Sequence, residues 1–328
     1  MKRSWTSVVL AAVLAVGGAS AAVASPGGAS ADRVQPRPGQ PLHVALGDSL
    51  AAGQQSVPPV ADFATTLELW KANGVVGRYH ETLRKRLDCS PGRGPHAGPG
   101  PERRGSHGRP GPRPGRGCRD LGLVNLARPG IPGGPGGVTT ATVLQPGDQL
   151  DQAVALIAPR NQDRSRRNDV EVVTVSVGGN DVFGPAVQAC VLTTDACVPT
   201  LDATFAGFAE RYDRILRTLR DAAGPDAVIL TTTYYNPLPY CFLGAADPSA
   251  AQRAGDFILE GGELAPGTTM PAGFNDTIRE VAARYDVTVA DAFGLLGADD
   301  FVGGADCTHP DGSGHGALAR AFAAAFPG

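Results

Sequence analysis

The chain has 328 residues, 42% of them hydrophobic and 19% charged, with a formal net charge of −3. That length gives ample room for a buried core, and the charge balance offers nothing to draw in a nucleic acid. Lysine supplies only Lys2, Lys71 and Lys85 of the basic side chains, a bias toward arginine that we read as genomic rather than functional.

The opening MKRSWTSVVLAAVLAVGGASAAVASPGGASA places Lys2 and Arg3 before an unbroken apolar run at 8–16, followed by small residues. This is the three-part layout of a secretory signal peptide over residues 1–31, with cleavage after Ala24 or Ala31. The apolar run is too short for a comfortable bilayer span, and no cysteine lies near it to carry a lipid. Residues 32–328 then read as one domain, and loss of Lys2 and Arg3 leaves 27 basic against 32 acidic side chains, a charge of −5. The mature chain is expected outside the cell, with no stable membrane insertion.

Residues 43–46 read as a buried strand that runs into Gly47-Asp48-Ser49. Val76, Tyr79, Leu83 and Leu87 mark one face of a helix. Residues 90–117 are almost wholly Gly, Pro, Arg, His and Ser, too poor in apolar groups to offset ordering entropy, and form an expected disordered insert. LGLVNLA (121–127) reads as a strand, and Leu150, Val154 and Ile157 as a helix face. The β-branched run VEVVTVSV (170–177) is the clearest strand. Phe205, Phe208, Tyr212, Ile215 and Leu219 mark a long helix, followed by the strand AVILTTT (227–233). A helix over about 273–284, the strand VTVADAF and a last helix over about 313–325 complete the chain. Segments 50–70, 182–200 and 240–270 read as loops. Strand–helix alternation predicts an α/β fold, a parallel sheet of about five strands covered on both faces, with ligands outside the carboxyl ends of the strands.

The six cysteines Cys89, Cys118, Cys190, Cys197, Cys241 and Cys307 form an even set behind a secretion signal, which reads as disulfides. The sequential pairing is the simplest of those the count allows. Zinc is the competing use, but no Cys-x-x-Cys pair exists.

Three stretches fall at strand ends or in loops where side chains can converge. They are Gly47-Asp48-Ser49-Leu50, then Gly178-Gly179-Asn180-Asp181, then Asp306-Cys307-Thr308-His309. A hydroxyl nucleophile needs a base, and the base needs a group that fixes its tautomer. Asp306 and His309, three residues apart on a tight loop, provide that pair, and the Asn180 amide can donate to a developing oxyanion. Singly, the first two stretches are also good turn sequences, and His309 alone also reads as a surface histidine beside Pro310. His315 competes with His309, but a helix starting near Ser313 carries it away from Asp306. His43 reads as a core histidine, His80 belongs to a helix, and His96 and His107 lie in the insert. Asp48 and Asp181 read as supports for their loops.

In this order the stretches resemble the GDSL or SGNH hydrolases, and among them secreted actinobacterial esterases and lipases. ALGDSLAAG is similar to the family's first block, with Ser49 in the nucleophile position. LVNLARPG is similar to the second, whose glycine supplies an oxyanion N–H; counting from Asn125 gives Gly130. Here GIPGGPGG (130–137) intervenes where the family has threonine or serine close behind, so Gly137 stands as the alternative to Gly130. SVGGNDVF places Asn180, and DCTHP places Asp306 and His309. The resemblance implies a three-layer α/β/α sandwich with a flavodoxin-like sheet, and an oxyanion hole from Ser49, Gly130 and Asn180. It also implies three disulfides like those of secreted relatives. No Gly-x-Ser-x-Gly occurs, so the nucleophile elbow of α/β-hydrolases is absent.

The expected activity is cofactor-free and metal-free hydrolysis of a carboxylic ester or lipid through an acyl-enzyme on Ser49, by a monomer. The alternatives are a polysaccharide or carbohydrate O-deacetylase on the same scaffold, with Trp70, Tyr234, Tyr235 and Tyr240 as groove aromatics, or a non-catalytic surface-binding protein that uses the basic insert.

Overall fold

In the computed structural model, β1 (Leu42–Gly47) is buried along its whole length, as a near-continuous apolar strand covered on both faces must be. The structure describes residues 36, 37, 39–86, 121–130, 137–163, 168–193 and 196–327. The predicted signal peptide, the insert at 90–117, and Cys89 and Cys118 lie outside the described residues.

After β1 come α1 (Phe63–Asn73), α2 (Val75–Arg86), β2 (Gly122–Asn125), the single turn α3 (Thr140–Val143) and α4 (Gln149–Asn161). They are followed by β3 (Val170–Ser176), α5 (Gly179–Ala186), a π-helical segment (Val187–Thr193), the 27-residue α6 (Cys197–Ala223) and β4 (Val228–Thr232). A 3₁₀ turn (Leu238–Tyr240), α7 (Pro248–Glu260), β5 (Gly262–Ala265), β6 (Thr268–Met270), α8 (Phe274–Ala283) and β7 (Thr288–Ala290) come next. The short strands β8 (Phe301–Gly303) and β9 (Asp306–Pro310) lead into α9 (Gly312–Ala325).

The central sheet has five strands in the order β2-β1-β3-β4-β7, every neighbouring pair parallel. That is the flavodoxin-like arrangement, with its topological switch between β1 and β3. Alternation along the strands sends side chains into two separate cores. Val44, Leu46, Val173, Val175 and Ile229 join one cluster with residues of α4, α6 and α8. Ala45, Val172 and Leu230 join the other with residues of α2 and α9. The stripe Leu201, Phe205, Phe208, Tyr212, Ile215 and Leu219 is the buried face of α6, at the spacing a helix requires.

Four expectations need correction. Residues 63–73 and 248–260 are helices, not loops, and most of 182–200 is helical as well. α1 buries only Thr66 and Trp70, so its apolar pattern is faint; Asp62 starts it by accepting the Thr65 N–H at 2.7 Å. α7 is rich in Ala and Gly and declares its apolar face only at Phe257-Ile258-Leu259. The last sheet strand, expected over 287–293, pairs only over Thr288–Ala290.

Candidate active site

The carboxyl ends of β1, β3 and β4 meet at one edge of the sheet, beside the switch point. The first of these ends is shaped by Gly47. Its φ of 151° is one that L side chains rarely adopt, and a Cβ there would lie 2.2 Å from the Ser176 carbonyl oxygen. Gln149 brackets this glycine: its Oε1 accepts the Gly47 N–H at 2.8 Å and its Nε2 donates to the Gly47 carbonyl at 2.9 Å. The Asp48 N–H bonds to the Ser176 carbonyl at 3.0 Å, and the turn closes through Ala52 N–H to Asp48 O and Gln54 N–H to Ser49 O, both 2.9 Å. Strand β1 therefore stops on a glycine so that its chain can cross β3 closely and turn out Ser49.

The second block lies alongside. The Asn125 side chain is turned back into its own segment by the Ala127 N–H and reaches the Ala51 carbonyl. Further on, the backbone at Gly137 presses against Asn180, where a Cβ would fall 2.5 Å from the amide nitrogen. A Cβ on Gly130 would meet nothing nearer than the Gly137 backbone at 3.9 Å. Asn180 Nδ2 donates to the Val138 carbonyl at 3.0 Å. Asp181 secures the junction by accepting the Thr140 N–H at 2.9 Å and the Thr140 hydroxyl at 2.6 Å. Arg211 of α6 donates to both Asp181 (3.1 Å) and Thr140 (2.8 Å).

The third stretch is not a loop. Asp306 and His309 stand in β9 of an antiparallel hairpin with β8, in which Gly303 pairs with Asp306 and Phe301 with Pro310. Both side chains nonetheless lie on one side, because Asp306 folds back over its own backbone. Its Oδ1 accepts the N–H groups of Thr308 and His309 at 3.0 Å each, and its Oδ2 lies 2.8 Å from His309 Nδ1. Burial alone would push the Asp306 carboxyl up, but the His309 bond and charge and the two backbone N–H groups outweigh it and hold it down to about 2. A carboxylate at Nδ1 fixes the tautomer and leaves Nε2 as the exchanging nitrogen. His309 Nε2 is buried with no hydrogen-bond partner among the described residues. Cys307 bonds to Cys241 and Tyr235 donates to the Thr308 carbonyl at 2.9 Å, tying the hairpin to the segment after β4.

Ser49, Asn180 and His309 line one cleft of roughly 780 Å³, a volume that includes its open mouth. Its walls are aliphatic and aromatic: Val182 and Phe183 from α5, Val187 from the π-helical segment, Leu238, and Ile258 and Leu259 from α7. The walls are thus helices where loops were expected. Cys190 and Cys197 form the second disulfide, at the junction of the π-helical segment and α6. His315 is buried away from this cleft, between the Val75 N–H (3.2 Å) and the Gln54 carbonyl (3.0 Å). Trp70 is buried and donates to the Val57 carbonyl, and Tyr240 stacks on Phe301, while Tyr234 and Tyr235 line the cleft. Arg211, Thr140 and Gln149 went unnoticed in the sequence, where each is an ordinary surface-helix or turn residue. Among the described residues no group of three His, Cys, Asp or Glu side chains is placed to hold a metal ion.

The model of the GDSL-like Lipase/Acylhydrolase family matches residues 97–317, which takes in Asn180, Asp306 and His309 and begins beyond Ser49. Among solved structures, the lipase Lip_vut3 from a goat rumen metagenome is 16% identical, with a TM-score of 0.48 over 88% of this chain and 99% of that one. A member of the lipolytic G-D-S-L family from Veillonella parvula is 10% identical, with a TM-score of 0.43 over 87% and 97%. An acetyl xylan esterase from Geobacillus stearothermophilus is 15% identical, with a TM-score of 0.40 over 86% and 92%. No curated protein matches the chain. With more than half of its length matched by the family model, the chain belongs to the GDSL-like lipase/acylhydrolase family and is an ester-hydrolysing enzyme.

Proposed function

We propose that this chain is a secreted serine hydrolase of carboxylic esters with an apolar acyl group, and that Ser49 is its nucleophile. One observation carries the reading: Ser49, Asn180 and His309 line a single cleft in which Asp306 already holds His309 Nδ1. His309 Nε2 takes the Ser49 proton as Oγ attacks the ester carbonyl, and Asp306 stabilises the imidazolium. The resulting oxyanion is met by the Ser49 N–H, the Asn180 amide and a backbone N–H of the second block. Asn180 Nδ2 has two hydrogens, and Val138 occupies one. For the backbone donor the family count points to Gly130, while contact with Asn180 favours Gly137. The imidazolium then protonates the leaving alcohol. Water, deprotonated by His309, attacks the acyl-enzyme and releases the acid and free Ser49.

The aliphatic walls support an acyl chain in the cleft better than a sugar ring, which would call for more polar partners. Secretion is supported by the predicted signal peptide and by two disulfides, which persist in oxidising compartments. No helix among the described residues is long and apolar enough to cross a membrane. The test is labelling with a fluorophosphonate, together with turnover of nitrophenyl esters from acetate to palmitate. We expect the label on Ser49, no turnover in Ser49→Ala, and the highest kcat/KM above acetate. A label elsewhere, or activity surviving in Ser49→Ala, would refute the nucleophile; a preference for acetylated polysaccharide over every nitrophenyl ester would refute the acyl class.

A further inference from the structure

One ionisable pair at the cleft, a buried carboxyl and a half-buried phenol, has no part in the steps above. Asp48 immediately precedes the serine and is 2% exposed. Its Oδ1 accepts the Leu50 N–H at 2.9 Å, and its Oδ2 lies 3.3 Å from the Tyr234 hydroxyl. That hydroxyl also accepts the Gly179 N–H at 2.9 Å. A phenol has one proton, and with Gly179 on its lone pair the proton is left for Asp48. The result is an unbroken chain from Leu50, on one side of Ser49, to Gly179, next to Asn180. The fit is close: a Cβ on Gly179 would stand 2.9 Å from the Tyr234 ring.

We propose that Asp48 and Tyr234 are positioning residues that hold the Ser49 turn and the Asn180 helix in one geometry, and that they do so only while Asp48 is ionised. This rests on the roles given above to Ser49, Asn180 and His309. The groups facing Asp48 come from three elements. His309 in β9 favours the carboxylate, Asp181 in α5 opposes it while paired with Arg211 of α6, and beyond β4 Tyr234 supports it beside Tyr235. Burial is the largest influence and pushes Asp48 up to about 7. Ionised, Asp48 accepts the Tyr234 proton and stands as a counter-charge to an imidazolium at His309. Protonated, it offers its own proton to the same phenol oxygen, and the link to the nucleophile turn loosens.

The test is kcat/KM for a nitrophenyl ester from pH 5 to 9, in the wild type, Asp48→Asn and Tyr234→Phe. Loss of the Asp48 proton adds to the single ionisation that a general base requires, so log kcat/KM should rise on the acid side with a slope clearly above one. Asp48→Asn should reduce that slope to about one and lower kcat roughly tenfold, with KM little changed. Tyr234→Phe keeps its ring against Phe274, 5.4 Å between centroids. It should also lose roughly tenfold in kcat, and its acid limb should move to higher pH because Asp48 loses a donor. A slope near one in wild type and Asp48→Asn alike, or wild-type kcat in Tyr234→Phe, would overturn the pair. Turnover surviving in Ser49→Ala would remove the nucleophile and the pair together. A dead Ser49→Ala beside an unchanged Asp48→Asn profile would remove the pair alone.

Discussion

Asn180, the proposed oxyanion donor, is held from two sides. Val138 takes one of its amide hydrogens, and the Gly137 backbone leaves no space for the carboxamide to swing toward it. Asn180→Ala should therefore cost roughly 10²–10³ in kcat with little change in KM, the usual scale for one such donor. Gly137→Ala should approach the same loss from a single methyl group, since its Cβ would land inside the amide. Gly130→Ala, with nothing nearer than 3.9 Å, should lose far less. Comparing kcat for the three variants at fixed pH checks this ordering, and equal losses at Gly130 and Gly137 would contradict it. The candidate residues Ser49, Asn180, Asp306 and His309 each stand in a short local pattern that the sequence alone displays. Which glycine presses on Asn180 is not legible there, because that contact is made across the segment between them.

The β8–β9 hairpin carries the proposed acid and base, Asp306 and His309, yet its strands have only three and five residues. Strands so short gain little from their own ladder and depend on what holds them down. The Cys241–Cys307 bond, spanning 66 residues, is the main tie, with an isolated bridge between Cys241 and Gly304 beside it. Replacing both cysteines with serine should lower stability by about 4 kcal/mol in the chain-entropy model, against about 2 kcal/mol for the short Cys190–Cys197 loop. Urea midpoints of the two double variants would show the order, and a reversal would mean native-state contacts outweigh loop closure. The sheet strands were legible because β-branched runs declare themselves. The hairpin and α7 were not, since a three-residue strand and an Ala/Gly-rich helix carry almost no periodic signal.

Across the whole molecule, buried ionisable groups make stability depend on pH in two opposed senses. His315 is fully buried, and burial lowers it to about 4. The unfolded chain takes up this proton below about 6.5, where the folded chain does not, so stability is lost as pH falls from about 6.5 to 4, by about 3 kcal/mol at most. His43, buried against His80, is lowered by the same cause and acts in the same direction. Asp48, raised to about 7, acts in the other: the folded chain keeps a proton that the unfolded chain releases above about 4. Its contribution is lost as pH rises from about 4 to 7. Chemical denaturation at pH 4.5 and 8 should show Asp48→Asn gaining on the wild type at the higher pH, where the proposed role makes it the poorer catalyst. His315→Gln should lose less than the wild type on acidification. An Asp48→Asn difference that does not grow with pH would mean the carboxyl is not held protonated by the fold.

The strands, most of the helices and the choice of candidate site residues follow from local features of the chain: side-chain period, β-branching and a few short polar patterns. The placement of Ser49 and His309 in one cleft does not, for it depends on β1 lying between β2 and β3 and on β9 being tied to the end of β4. The cleft walls and the burial that raises Asp48 are equally non-local. The walls arise where α5 and α7 flank the cleft, and Asp48 meets Tyr234, Asp181 and His309 from distant parts of the chain, so no window of neighbouring residues contains both sides of such contacts.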